Sequence, residues 1–425
     1  MASNFIAFPA RPCVLAGVQR ASPKIEFAEL GAMFFIQWMG LAAWFVPLTL
    51  VLNAHGLRSI QPFAFATGAV AAFVSPLFFG AVADRQMAPT RVLRWLCVAT
   101  AVALTLANTA IQRGWNPLAV LGLIQVYAFC VAPTTSLSTT IAMAELRDPK
   151  REFGPIRAMG TMGWMAGCWL ISLLGADAST LSGFSSALVW LGLAGFTLLL
   201  PDVPPPVSAQ HLTLTQRLGL DALSLLKLSD HRVVFLTAAL FSIPLAAFYP
   251  HTPQHLRDLG FMHPAAWMSL AQTTEIVAMF MLGALLLRWR LKWILTAGLV
   301  AGLLRYVFCA LDGEGWLLAG VVLHGATYTL YFITAQIYIN DRIDPAWKMR
   351  AQALLTLMVS GVGNLVGYLG CDVWFRACQR GSGTQWPLFW GGLAAAVAAV
   401  LIYFLIAYRG VGSGLLAARK VEAEG

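Results

Sequence analysis

The chain carries very little charge. Only 11% of its residues are Asp, Glu, Lys or Arg, where a soluble globular protein has about 25%. Hydrophobic residues make up 59% of the sequence. No water-soluble fold of 425 residues hides that much apolar surface with so few charges to cover the rest. Cysteine is sparse and scattered: positions 13, 97, 130, 168, 309, 371 and 378 form no CxxC pair and no metal spacing. They read as small packing residues, with Cys371 and Cys378 the one pair near the outer face that a bridge would join. Catalytic signatures are missing too. There is no HExxH, no GxSxG in a suitable setting, no carboxylate pair within one apolar segment and no nucleotide loop, and the glycine runs near 381 and 411 are short turns. These absences argue against an enzyme, give no reason to expect a cofactor or metal, and leave lipid as the solvent.

What the sequence does have is a series of apolar runs of membrane-spanning length, roughly 20 residues each. They fall near 28–52, 62–83, 92–111, 117–143, 154–175 and 183–201, then near 233–252, 265–287, 292–311, 315–339, 351–374 and 385–408. Mean hydropathy is +0.71. Lipid offers the backbone no hydrogen bonds, so such spans are helices. The expectation is an all-α integral membrane protein of twelve transmembrane helices in two six-helix halves, 28–201 and 233–408. A tail over 1–27, a connector over 202–232 and a tail over 409–425 complete the chain.

Basic residues set the orientation. Arg11, Arg20 and Lys24 precede the first span, and Arg85, Arg91 and Arg94 follow the second. Arg147, Lys150 and Arg151, then Arg288, Arg290 and Lys292, then Arg342, Lys348 and Arg350 keep to the same side, while the other side shows only Arg58, Arg113, Arg257, Arg376 and Arg380. The positive-inside rule therefore puts both termini in the cytoplasm. It also explains the net charge of +9 as a topology signal, with no nucleic-acid partner implied. The first 27 residues lack the shape of a signal peptide.

The connector begins in prolines, and its segment LTQRLGLDALSLLKL is suited to an amphipathic helix on the cytoplasmic surface. The halves also echo each other: Gly80-Ala81-Val82-Ala83-Asp84-Arg85 after the second span matches Gly283-Ala284-Leu285-Leu286-Leu287-Arg288 after the eighth.

Ionisable residues at membrane depth are costly and therefore mark function. Glu275 lies near the middle of the eighth span with Gln272 on the same face, at i and i+3. A carboxylate there can exchange protons and accept hydrogen bonds from a solute. Arg157 opens the fifth span and shares a face with Thr161 and Trp164; at that depth it is equally a snorkelling anchor. Arg305, deep in the ninth span, reads as a structural pin or an ion-pair partner. In the tenth span His324, Tyr328 and Tyr331 fall at i, i+4 and i+7, with Thr329 beside them, and in the first Gln37 and Trp44 share a face. Such an inventory, rich in rings and amides, suits a neutral planar or polyhydroxylated solute.

These residues carry a resemblance. Phe153-Gly154-Pro155-Ile156-Arg157 through Gly160-Thr161 and Gly163-Trp164, Gln272 with Glu275, Leu304-Arg305 and Arg350-Ala351-Gln352 resemble the nucleoside:H+ symporter family of the major facilitator superfamily. The GxxxDR at Gly80–Arg85 resembles that superfamily's general loop motif. The resemblance covers nearly the whole chain. It implies that Arg157, Thr161, Gln272 and Glu275 contact a nucleoside, that Trp164 stacks on it, and that His324 and Tyr328 lie on a substrate face of the tenth span. Thr329 stands there where the family has Asp, and the seventh span lacks the family's amides around Ala246 to Tyr249. The resemblance further implies proton coupling through Glu275 and a monomer in the cytoplasmic (inner) membrane. Three other functions fit the same layout: a sugar symporter, an exporter of drugs or metabolites, and a non-transporting receptor or scaffold.

Overall fold

The computed structural model describes residues 23–84, 87–146, 149–200, 213–345, 347–381 and 383–410. The chain is helical almost throughout. Nine helical segments among the described residues are long and apolar enough to cross a membrane: Phe27–Ala54, Pro89–Gln112, Pro117–Glu145, Ser229–Asp258, Pro264–Arg288, Leu291–Ala310, Glu314–Arg342, Lys348–Ala377 and Trp386–Ala407. Three more helices stand beside them. These are α3 (Gln61–Asp84), α6 (Pro149–Leu173) and α7 (Leu181–Phe196). Large apolar side chains such as Phe280 and Leu287, 81% and 90% exposed, face outward where a soluble protein would place charge. The protein is a multi-pass membrane protein.

Several long segments are broken, each for an identifiable reason. The first runs as α1 (Pro23–Phe45) and α2 (Leu48–Ala54), separated at Val46 and Pro47, where the proline removes a backbone donor. The seventh runs as α9 (Ser229–Leu245) and α10 (Phe248–Asp258). Its break follows Pro244, whose carbonyl accepts the Tyr306 hydroxyl from α13 (Leu291–Ala310). The eighth is α11 (Pro264–Met268) and α12 (Leu270–Arg288). π-Helical stretches at Thr329–Ile333 and Leu357–Gly363 separate α14 (Glu314–Tyr328) from α15 (Thr334–Arg342), and α16 (Lys348–Thr356) from α17 (Asn364–Ala377). Such wide turns concentrate at functional positions.

Close helix contacts run through glycine. A Cβ on Gly163 or Gly167 of α6 would come within 3.0 Å of the α1 backbone at Phe35 and Met39. A Cβ on Gly363 or Gly367 would meet α9 in the same way, at Ala239 and Ile243. Small residues let two backbones approach where lipid gives no hydrophobic drive. The buried apolar residues form two main clusters. One draws on residues 30–200 with Ala246 and Tyr368; the other draws on 222–408 with Ala42, Val46 and Cys168.

One expectation changes. The connector segment is not one amphipathic helix: it forms the short turn α8 (Leu214–Arg217), a left-handed Gly219 (φ +69°) and a 3-10 helix over Leu220–Lys227. Gly219 packs against the backbone of α16, where a Cβ would collide with Arg350, and Asp221 pairs with Arg350 at 2.9 Å. Docking on α16 has replaced a continuous surface helix. Cys371 and Cys378 are both free. The GxxxDR comparison and the terminal tails reach outside the described residues.

At one end of the bundle, segments distant in sequence are tied by hydrogen bonds. Thr49 Oγ1 and Gln61 Nε2 both donate to the Pro250 carbonyl, at 2.8 and 3.2 Å. In the turn after α6, Asp177 Oδ1 accepts from the Ala265 backbone N–H at 2.7 Å and from Ser172 Oγ at 3.1 Å. Ser172 Oγ accepts in turn from the Ala266 N–H at 2.9 Å. Burial pushes the Asp177 carboxyl above its ordinary range, against those hydrogen bonds and the pull of His263 and Arg257. A raised pKa means the tie binds a proton more tightly than the solvated carboxyl does. The tie therefore holds best below about pH 4, the ordinary carboxylate value, and loosens as pH rises through the raised one. We predict that exchange protection of the Ala265 and Ala266 amides, corrected for intrinsic rate, falls over that window. Asp177→Asn should flatten the dependence; an unchanged slope in that variant defeats the assignment.

Candidate functional site

A cavity of about 220 Å³ lies where α1, α6, α9, α10, α12, α14 and α17 meet. Its charged wall comes from α6 and α12. Arg157 and Thr161 stand one turn apart on α6, as do Gln272 and Glu275 on α12. Thr161 Oγ1 is 3.5 Å from Glu275 Oε1, a long contact that links the two helices. The Arg157 guanidinium lies over Trp38 of α1, 4.2 Å from the ring centroid. A cation held this way gains about 0.5–1 kcal/mol and keeps its outer face for another partner. Gly160 makes the arrangement possible, since a Cβ there would meet both the Trp38 ring and Arg157.

Rings make up much of the remaining lining. Trp164 lies 5.9 Å from Trp38, 5.7 Å from Tyr249 and 6.2 Å from Phe45, in tilted or edge-on pairs. His324 stacks on Phe248 at 3.9 Å and 15°, with Tyr249 edge-on to it at 5.9 Å. Gly325 brings α14 against α12: a Cβ there would strike the backbone of Ala271 and Glu275. That approach carries His324 and Tyr328 to the carboxylate wall. Asn364 and Tyr368, one turn apart on α17, close the cavity.

Several buried polar atoms of this wall have no hydrogen-bond partner: Arg157 Nη1, Gln272 Oε1 and His324 Nδ1. A buried polar group left unpaired costs about 1–3 kcal/mol. Three such atoms around one cavity mark a place built for a polar solute.

Seven of the eight residues singled out from sequence line this cavity: Arg157, Thr161, Trp164, Gln272, Glu275, His324 and Tyr328. Thr329 does not. It is fully buried in the π-helical turn, with its hydroxyl unpaired. The same turn removes Tyr331 from the His324–Tyr328 stripe: the wider turn breaks the i, i+4, i+7 register, and Tyr331 packs on Phe241 at 5.3 Å. Gln37 and Trp44 are buried elsewhere, Gln37 donating to Thr134 Oγ1 at 2.9 Å and Trp44 against Tyr127. Arg305 is buried outside the lining, with its guanidinium carbon 4.5 Å from the Phe248 ring and 4.6 Å from Tyr306. It thus props the ring on which His324 stacks, a structural position. Sequence reasoning missed Trp38, Tyr249, Asn364 and Tyr368, and found no amides at Ala246 and Tyr249, which do line the cavity.

A helical membrane bundle with a solute-sized polar cavity at its centre defines a transporter, and solved structures agree on the fold. The crystal structure of the nucleoside transporter NupG superposes with a TM-score of 0.80 at 23% identity, over 90% of this chain and 99% of that one. The POT family transporter PepTSo gives 0.69 at 13% identity, over 90% and 98%. The model of the Nucleoside H+ symporter family matches residues 25–411, and the chain belongs to that family. YegT of Escherichia coli (strain K12) is 33% identical over 90% of this chain and 93% of its own length. The xanthosine permease of the same organism is 24% identical over 89% and 96%.

Proposed function

We propose that the chain is a secondary active transporter that moves nucleosides across the cytoplasmic membrane by alternating access, in symport with protons. The observation that carries this reading is the cavity. It pairs a carboxylate, a guanidinium and amides with a wall of rings, and a nucleoside is a flat base joined to a hydroxyl-bearing sugar. Glu275 accepts hydrogen bonds from sugar hydroxyls and carries the proton. Arg157, Thr161 and Gln272 orient the solute, while Trp164, Tyr328 and His324 pack on the ring. Thr329, which the resemblance drew into the site, acts at most through the π-helical turn. Relatives named as a xanthosine permease and a nucleoside permease support the substrate class.

The same reading takes α3, α6 and α7 as spans, making twelve in two six-helix halves, 28–201 and 233–408, joined by 202–232. Gly163 and Gly167 seat α6 on α1, and Gly363 and Gly367 seat α17 on α9. The second pair repeats the first at one common offset, as a duplicated unit would. Basic residues on one side favour cytoplasmic tails, 1–27 and 409–425, and the family resemblance favours a monomer.

The test is uptake of labelled uridine, adenosine and xanthosine by proteoliposomes under an imposed pH gradient. Accumulation that unlabelled nucleosides block and sugars do not is expected. Competition by sugars alone overturns the substrate class and selects a sugar symporter. No uptake and no binding of any nucleoside overturns the whole reading.

A further inference from the structure

Asn364 stands out among the lining residues. It is the first residue of α17 after the π-helical stretch Leu357–Gly363, and it lines the cavity at an intermediate burial. Its side-chain amide makes no hydrogen bond to any of the described residues, although an amide offers two donors and an acceptor. Its position is fixed from both sides. Gly363 and Gly367 bracket it and hold α17 against Ala239, Ile243 and Ala246 of α9. On α6 the same bracket, Gly163 and Gly167, encloses Trp164. The two helices thus present Trp164 and Asn364 from matching seats, one with a stacking face and one with a hydrogen-bonding edge. The charged groups Arg157 and Glu275 belong to α6 and α12, so the α17 side of the cavity offers neutral groups, the Asn364 amide and Tyr368.

We infer that Asn364 is a specificity-determining residue whose amide reads the donor–acceptor edge of the nucleobase, while the α6–α12 wall holds the sugar. The inference rests on the nucleoside reading above. A neutral amide is matched to a neutral base edge, because it can donate to a ring carbonyl or accept from an exocyclic amine. A carboxylate at the same place can only accept.

Asn364→Asp and Asn364→Ala separate the possibilities, with binding of uridine and cytidine measured on purified protein that elutes as a single species. Uracil presents carbonyls and an imide N–H, while cytosine replaces one carbonyl with an amine. Asn364→Asp should shift the cytidine-to-uridine affinity ratio toward cytidine by about tenfold, the discrimination expected from one gained or lost base-edge hydrogen bond. Asn364→Ala should weaken both nucleosides and bring the ratio toward one. An equal loss for both nucleosides in Asn364→Asp means a structural role and overturns the inference, as does unchanged binding in Asn364→Ala. If the wild-type protein binds neither nucleoside, the parent reading has failed. If it binds both and the ratio stays fixed, only the role of Asn364 has. Asn364→Ser, which keeps a small polar side chain in the same seat, guards against misfolding and should fall between wild type and Asn364→Ala.

Discussion

Replacing Glu275 with Gln is expected to abolish proton-driven accumulation of solute while leaving binding and downhill exchange in place. The substitution keeps the size and shape of the side chain and removes its ability to carry a proton. Glu275 lines the cavity, 3.5 Å from Thr161 on the facing helix, and the amide can occupy the same place. The size of the effect follows from the energy source. One proton moved down a pH gradient of one unit releases about 1.4 kcal/mol, enough for tenfold accumulation. A one-proton symporter therefore concentrates its solute up to about a hundredfold across two units, and the Gln variant should stop near equality on the two sides. Wild-type binding should depend on pH and Gln-variant binding should not. Accumulation by Glu275→Gln at the wild-type level would move the coupling proton to another group and leave Glu275 as a substrate contact.

The parts of the cavity that were legible in the sequence are the ones whose chemistry conflicts with lipid. Glu275 and Gln272 announce themselves because a charge or an amide at membrane depth is costly. Arg157, near the end of its span, reads equally as an anchor and joins them only through the family resemblance. Helix identity was equally plain, since apolar runs of this length cross lipid in one way. Trp38, Tyr249, Asn364 and Tyr368 were not visible. A ring or an amide in a helix that is apolar all round carries no mark of the face it occupies. The first span shows the difficulty. Gln37 and Trp44 are no less polar or aromatic than Trp38, yet Gln37 turns to Thr134, to which its Nε2 donates, and only Trp38 reaches the cavity. The tenth span failed for another reason. Helical spacing predicts Tyr331 on the face of Tyr328, and the π-helical turn from Thr329 to Ile333 takes it away. No local pattern foretold that turn. The turn packs on α13, where Gly298 leaves room for the backbone at Leu330 and Tyr331.

Gly163→Ala is expected to be among the costliest single methyls added to the helices, because the atoms it meets cannot move independently. Its Cβ would lie within 3.0 Å of the carbonyl oxygen, carbonyl carbon and Cα of Phe35, all of them backbone. Relief requires α1 and α6 to separate along their shared length. Overpacking of this kind typically costs about 1–3 kcal/mol and more where backbone must shift. Separation would also part Trp38 from Arg157 and Trp164, so substrate binding should fall together with stability. Gly192 on α7 supplies the control, since a Cβ there meets nothing within 4 Å. Both changes add the same helix propensity, worth up to about 1 kcal/mol. Gly192→Ala should therefore leave the melting temperature unchanged or raise it, while Gly163→Ala lowers it. Gly367→Ala should fall between them, because its contacts include the Ala246 side chain as well as the Ile243 backbone. Thermal unfolding of the three purified variants in detergent decides the matter. Equal melting temperatures for Gly163→Ala and Gly192→Ala would mean that the α1–α6 approach is loose enough to absorb a methyl group. In that case the position of the charged wall would owe nothing to the glycine seat.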